Sequence, residues 1–125
     1  MGPLKDIKAI EFSGIGPGPY CGMLLADLGA DVIRVSRKET KGLQNKFDIH
    51  NRSKRTITAD LKNKESVKEL LKLIGQVDVV FEGFRPGVME KLGLGPDECL
   101  KVNPKLVYGR MTGWGQEGPM ANLAG

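Results

Sequence analysis

Apolar residues in this chain follow two alternating spacings: short runs rich in β-branched side chains, and stretches with an apolar residue at every third or fourth position. That alternation predicts a layered α/β fold. Residues 7–12, Ile-Lys-Ala-Ile-Glu-Phe, read as a strand, and 13–19 as a glycine- and proline-rich turn into a helix over about 20–28, with Gly29 at its C-terminal cap. Residues 31–36 form a second strand, closing a βαβ unit that is expected to be right-handed. Residues 37–55 are polar and carry Lys38, Lys41, Lys46, Arg52, Lys54 and Arg55, which reads as a long surface loop of the length that is usually functional or mobile.

Beyond that loop, 56–58 read as a short extended piece. Asn63 is placed to cap a helix whose Val67, Leu70, Leu71 and Ile74 share one face, with Gly75 ending it. Residues 77–81 are the third clear strand, and Arg85-Pro86-Gly87 forces a turn before a short helical stretch ending near Leu92. Pro96 followed by Asp97 and Glu98 marks a helix start, and 105–111 form another strand. The glycine-rich tail from Gly113 to Gly125 is expected to need packing partners to become ordered. The pattern predicts an α/β fold with a Rossmann-like, doubly wound, mostly parallel sheet.

Composition narrows the picture only a little. A length of 125 residues with 40% hydrophobic content suits one domain spanning 1–125. No run approaches the roughly 18 apolar residues needed to cross a bilayer, and the N-terminus lacks the apolar region of a secretory signal, so no membrane span and an intracellular location are expected. Cys21 and Cys99 have neither disulfide-framework nor metal-ligand spacing and are expected to be reduced thiols, with no metal site. The net charge of +4 suits an anionic ligand, though ordinary solvated faces give the same balance. Seven aromatic residues, mostly in strands and turns, offer no stacking platform for nucleic acid.

Three features carry candidate chemistry. Gly14-Ile15-Gly16, between a strand and a helix, lets a ligand approach the backbone, but Pro19 replaces the third glycine of a dinucleotide fingerprint, and a purely structural turn is an equal reading. At the end of the second strand, where folds that grip a ribose diol place an acid, stands Arg37, whose guanidinium is able to hold a phosphate on the adenosine ribose, as in NADP or CoA. A solvated loop arginine is the competing reading. Lys54-Arg55, and Arg85 on a turn stiffened by Pro86, add basic groups that are expected beside the carboxyl edge of the sheet. Lys91 also reads as a helix-surface lysine, and Asp60 as a turn or cap residue.

Taken together, 9–19 (Ala-Ile-Glu-Phe-Ser-Gly-Ile-Gly-Pro-Gly-Pro), 25–35 (Leu-Ala-Asp-Leu-Gly-Ala-Asp-Val-Ile-Arg-Val), Lys54-Arg55 with 58–62, 82–96 from Glu82 to Pro96, and Gly113-Trp114-Gly115-Gln116 through Leu123-Ala124-Gly125 resemble the α-methylacyl-CoA racemases of the family III CoA-transferase superfamily. The resemblance covers essentially the whole chain and implies the N-terminal, CoA-binding part of that family's large domain. It implies that Arg37, Thr58, Ala59, Asp60 and Leu61 lie in the adenosine and phosphate region, that Arg85 and Lys91 face phosphates, and that Ile15, Gly16, Ala124 and Gly125 border the acyl end. No cofactor is implied beyond the CoA moiety of a 2-methylacyl-CoA substrate, and the parent protein is expected to be an interlocked homodimer.

The implied reaction exchanges the proton next to a thioester carbonyl through an enolate, with a base on one face and an acid on the other. In the family these groups follow the pair matching Ala124-Gly125, so no catalytic residue is assigned within the chain. His50, amid Asp48, Asn51 and Arg52, reads as a solvated loop histidine. The chain is expected to be a piece of a longer protein and inactive alone. The competing expectations are a family III acyl-CoA transferase, which uses a downstream aspartate, and an NADP-binding oxidoreductase domain. The expected compartment is cytoplasmic for a bacterial source and mitochondrial or peroxisomal for a eukaryotic one.

Overall fold

The computed structural model describes residues 2–12, 14–37 and 48–125; Met1, Ser13 and residues 38–47, with Lys38, Lys41 and Lys46, lie outside the described residues. The elements run β1 (Lys8–Phe12), α1 (Pro17–Asp27), β2 (Asp31–Ser36), a 3₁₀ turn (Ile49–Asn51), β3 (Arg55–Thr58), α2 (Lys64–Ile74), β4 (Val79–Glu82), α3 (Val88–Lys91), α4 (Pro96–Val102) and β5 (Val107–Arg110).

The strands form a five-stranded sheet in the order β3-β2-β1-β4-β5, every pair parallel. This is an α/β fold with helices on both faces, as the alternating pattern predicts. Registers such as Phe12 opposite Val35 and Ala9 opposite Val79 bring β1 to the centre. The chain winds outward from β1 through β2 to β3, then returns to the other side for β4 and β5, so the order reverses between β1 and β4. In open α/β sheets the crevice outside the carboxyl ends at such a reversal is where ligands bind.

Local chemistry explains the elements and their boundaries. Helix α1 begins three residues before the predicted start because Pro17 and Pro19 fall in its first turn, where a missing N–H breaks no helical bond. Gly16 holds the N-cap position at φ 72°, a left-handed conformation that favours glycine. The predicted Asn63 cap is present: its side-chain oxygen accepts from the amides of Glu65 at 2.9 Å and Ser66 at 3.1 Å.

Alternate strand residues feed two cores. Ile10 and Phe12 of β1 join Val35, Val80, and Leu70 and Ile74 of α2, with Met89, Leu94 and Cys99, in the larger core under α2, α3 and α4. Ala9, Val32 and Phe81 face the other way and meet Ala26 and Ala30 in a smaller core under α1. The tail makes local contacts while Trp114, Met120 and Leu123 stay exposed. It closes on itself: the Trp114 indole N–H donates to the Ala124 carbonyl at 3.0 Å, and Gly113 packs so closely on Gly125 that a Cβ on Gly113 would lie 2.3 Å from the Gly125 Cα.

Candidate functional site

Each strand delivers its following residues to the same carboxyl edge. Ile15 and Gly16 follow β1, Arg37 follows β2, Thr58 ends β3 and leads to Ala59, Asp60 and Leu61, and Arg85 follows β4. Ala124 and Gly125 sit in the closed loop beyond β5, against Trp114 and Gly113. Lys91, exposed, ends the short α3 beyond Arg85.

The clearest junction on this edge lies between the ends of β2 and β4. The Arg37 guanidinium carbon is 6.0 Å from the Phe84 ring centroid, within range of a cation–π contact. That contact bridges over the end of β1 and brings the Arg37 segment beside the turn carrying Arg85. Phe84 was not singled out in the sequence; its position beside Arg85-Pro86 was the available signal. Its backbone N–H donates to the Glu82 carboxylate at 2.8 Å. Glu82 in turn accepts from Arg110 Nε at 3.0 Å, while Arg110 Nη1 lies 2.6 Å from Glu90 of α3. Burial pushes the Glu82 carboxyl up from its ordinary range, and the hydrogen bond from Arg110 holds Glu90 below it. This network ties β4, β5, α3 and the Phe84 turn into one rigid corner.

Residues after β3 divide between binding-competent and structural positions. The Ala59 amide donates to the Ser36 carbonyl at 3.0 Å, locking the ends of β2 and β3 together. The Asp60 carboxylate accepts from the Lys62 amide at 3.0 Å, which makes it a turn residue, and the Leu61 side chain is buried in the larger core, leaving its backbone for any ligand contact. A cavity of about 470 Å³ beside the outer edge of β3 is lined by Ile57, Thr58 and Ala59 together with Glu65, Glu69 and Leu70. Two carboxylates on its wall disfavour a phosphate there; its size and apolar floor suit a ring or an aliphatic group.

At the glycine turn, Ile15 is 94% exposed, and Cβ atoms placed on Gly14 or Gly18 would meet nothing within 4 Å. Gly18 is itself buried in α1, so among the described residues the exposed part of the turn is Gly14, Ile15 and Gly16. The first turn of α1 nevertheless has few free donors, because Pro17 and Pro19 have no N–H and the Tyr20 amide donates to the Gly16 carbonyl. A pyrophosphate cradle of the dinucleotide type is not built here.

The structure corrects one basic feature. Lys54 and Arg55 do not face the ligand edge. Lys54 is wholly buried, its ammonium 2.6 Å from Glu11 of β1 and 2.9 Å from the Pro19 carbonyl, which it donates to. Arg55 opens β3 and reaches back to Asp31 at the amino end of β2. Both residues lie at the start of β3, away from its carboxyl end, and acids on β1 and β2 satisfy them. The Glu11 signal was present in the sequence: an acid inside a central strand that otherwise reads as an apolar run.

Among the described residues the remaining titratable groups form no second cluster. His50 Nδ1 is 3.3 Å from Asp48, and its ring meets Tyr20 edge-on. Burial raises both thiols, Cys99 to about 11, which makes it an unreactive core residue. Among the described residues no cluster of three or more His, Cys, Asp or Glu is placed to hold a metal, and no helix is long and apolar enough to cross a membrane.

Comparison with known proteins supports the fold. The family model described as CoA-transferase family III matches residues 4–125. The mouse alpha-methylacyl-CoA racemase is 44% identical over 122 residues, covering 98% of this chain and 31% of that protein. The probable fatty acyl-CoA transferase Rv3272 of Mycobacterium tuberculosis is 39% identical over 136 residues, covering 98% of this chain and 34% of that protein. A crystal structure of Rv3272 superposes with a TM-score of 0.92 at 40% identity, over 100% of this chain and 36% of that one. The chain spans about a third of the length of these relatives.

Proposed function

The chain belongs to CoA-transferase family III, and from that premise we propose that its carboxyl edge holds the CoA part of an acyl-CoA thioester. The observation that carries this reading is the Arg37–Phe84 junction at the point where strand order reverses, with Arg85 in the same turn. In this reading Arg37 takes the phosphate on the adenosine ribose, Arg85 and Lys91 take phosphates, and Thr58, Ala59, Asp60 and Leu61 border the adenosine through backbone and turn. Ile15, Gly16, Ala124 and Gly125 border the acyl end. The exposed turn at Gly14, Ile15 and Gly16 supports placing the thioester there, and the scarcity of donors in the first turn of α1 argues against a pyrophosphate. No cofactor is needed beyond the CoA of the substrate.

For the whole protein we propose racemisation of a 2-methylacyl-CoA through an enolate. Identity of 44% to the mouse racemase supports it, and so does the resemblance of the 122–125 tail to that branch. The base and acid are assigned outside this chain, as the family resemblance implies, and Glu82 and Glu90 are held by Arg110. Acyl-CoA transfer is the second reading, favoured by the 39% identity to a probable fatty acyl-CoA transferase. NADP binding is disfavoured by the prolines at 17 and 19.

Titration of the chain with CoA and with NADP tests the binding reading. CoA is expected to bind, and Arg37→Ala to weaken it by about 10-fold or more, the size of losing a charge-assisted hydrogen bond. Binding of NADP but not CoA would overturn the proposal. For the whole protein, deuterium uptake at C2 of a 2-methylacyl-CoA with inversion identifies the racemase, whereas CoA transfer to a free carboxylate without exchange identifies the transferase.

A further inference from the structure

The charged pair beneath α1 is unlike the other ion pairs found among the described residues. Both Lys54 and Glu11 side chains are 0% exposed, whereas the other pairs keep at least one partner in contact with solvent. The pair also occupies the space of a missing side chain: a Cβ on Gly22 of α1 would fall 1.9 Å from Glu11 Oε2 and 2.8 Å from Lys54 Nζ. Removing two charges from water is expensive, and a buried pair is often no more stabilising than apolar residues of the same volume. The second Glu11 oxygen is buried without a hydrogen-bond partner, which adds to that expense. Stability alone is therefore a poor account of the pair, and its second contact supplies a better one.

Lys54 Nζ also donates to the Pro19 carbonyl, in the first turn of α1 and three residues from Gly16. The N-terminus of α1 has no side-chain cap, no acid in the first turn and two prolines without N–H groups, and Tyr20 there meets the His50 ring edge-on. Tyr20 and Leu24 lie exposed on its surface. The ammonium thus joins the start of the helix to the central strand β1 on one side and to the segment entering β3 on the other.

We infer that Lys54, held by Glu11, is a positioning residue that fixes the backbone of Ile15 and Gly16 against the thioester end of an acyl-CoA. This rests on the reading above that the carboxyl edge holds such a ligand. It assigns Lys54 no contact with the ligand; the residue acts through the Pro19 carbonyl.

The test compares two probes on the full chain: isobutyryl-CoA, which carries the thioester end, and adenosine 3′,5′-bisphosphate, which lacks it. Lys54→Met takes the ammonium away from the buried Glu11 carboxylate and is liable to unfold, so the informative variant is the double replacement Glu11→Gln with Lys54→Met, which removes both charges and keeps their volume. The expected result is about 10-fold weaker isobutyryl-CoA binding, the size of losing a charge-assisted hydrogen bond that positions the turn, with bisphosphate binding unchanged. Equal affinity of wild type and double variant for both probes, or an equal loss for both, overturns the positioning role and leaves the CoA reading standing. If wild type binds neither probe, the CoA reading falls and the positioning role falls with it.

Discussion

The two faces of the sheet solve the same packing problem with different chemistry. Under α2, α3 and α4 the interior is apolar across its width, and its one acid, Glu82, sits at the rim with both carboxylate oxygens occupied, by Phe84 N–H and Arg110. Under α1 the core is small, built on Ala9, Ala26, Ala30, Val32 and Phe81, and beside it lies a charged pair with one oxygen unpartnered. The outer surface of α1 exposes Tyr20, Leu24 and Leu28 at four-residue spacing, an apolar ridge that a purely solvent-facing helix would not carry. One face is therefore a conventional stabilising core. The other gives up apolar burial to hold a helix start in place, and that helix start is the one bordering the open glycine turn.

Four substitutions probe this difference, from the largest effect to the smallest. Phe12→Ala, in the larger core, is expected to destabilise the chain by about 3–5 kcal/mol in chemical denaturation, with little dependence on pH. Lys54→Met should cost about 3 kcal/mol at pH 7 by stranding the Glu11 carboxylate, and the loss should shrink on acidification. The sign follows from the raised Glu11 pKa: burial favours the protonated carboxyl in the folded state, so the folded chain holds its proton more tightly than the unfolded one. The stability from that proton is fully present below the ordinary value of 4.5 and is lost as pH rises through the folded value. Without Lys54 the folded value rises further, widening the window in which acid relieves the variant; a loss independent of pH would show that the pair is not what the substitution breaks.

Gly22→Ala sets helix propensity against space. Alanine is normally better than glycine in a helix by about 1 kcal/mol, yet here its methyl would enter the Glu11–Lys54 pair, so a net destabilisation of about 1–3 kcal/mol is expected by calorimetry. A stabilised variant would mean that the two side chains have room to move aside. Leu24→Ser, on the exposed ridge, should change stability of the isolated chain by no more than about 0.5 kcal/mol. A larger loss would show that the ridge is covered in solution.

Much of the fold was legible because strand and helix periods are local properties. The runs at 7–12, 31–36 and 77–81, the Asn63 cap and the Arg85-Pro86-Gly87 turn are each specified by neighbours in sequence. Arg37 and Arg85 could likewise be placed at the carboxyl edge, since a residue that follows a parallel strand has nowhere else to go. Lys54 and Arg55 could not be placed the same way. Both were basic and near a strand, but Glu11 lies 43 positions and Asp31 24 positions earlier in the chain, and only folding brings these acids to them.

The sequence by itself determined the order of the main strands and helices, the Asn63 cap, the glycine turn and the family resemblance, all of which depend on residue type at short spacing. Tertiary structure alone decided which charges remain available to a ligand and which are spent inside, because a cation's role depends on the acid that folding sets within reach. It also decided that Phe84 supports Arg37 and that a glycine in α1 makes room for an ion pair, since both depend on atoms brought together from separate strands.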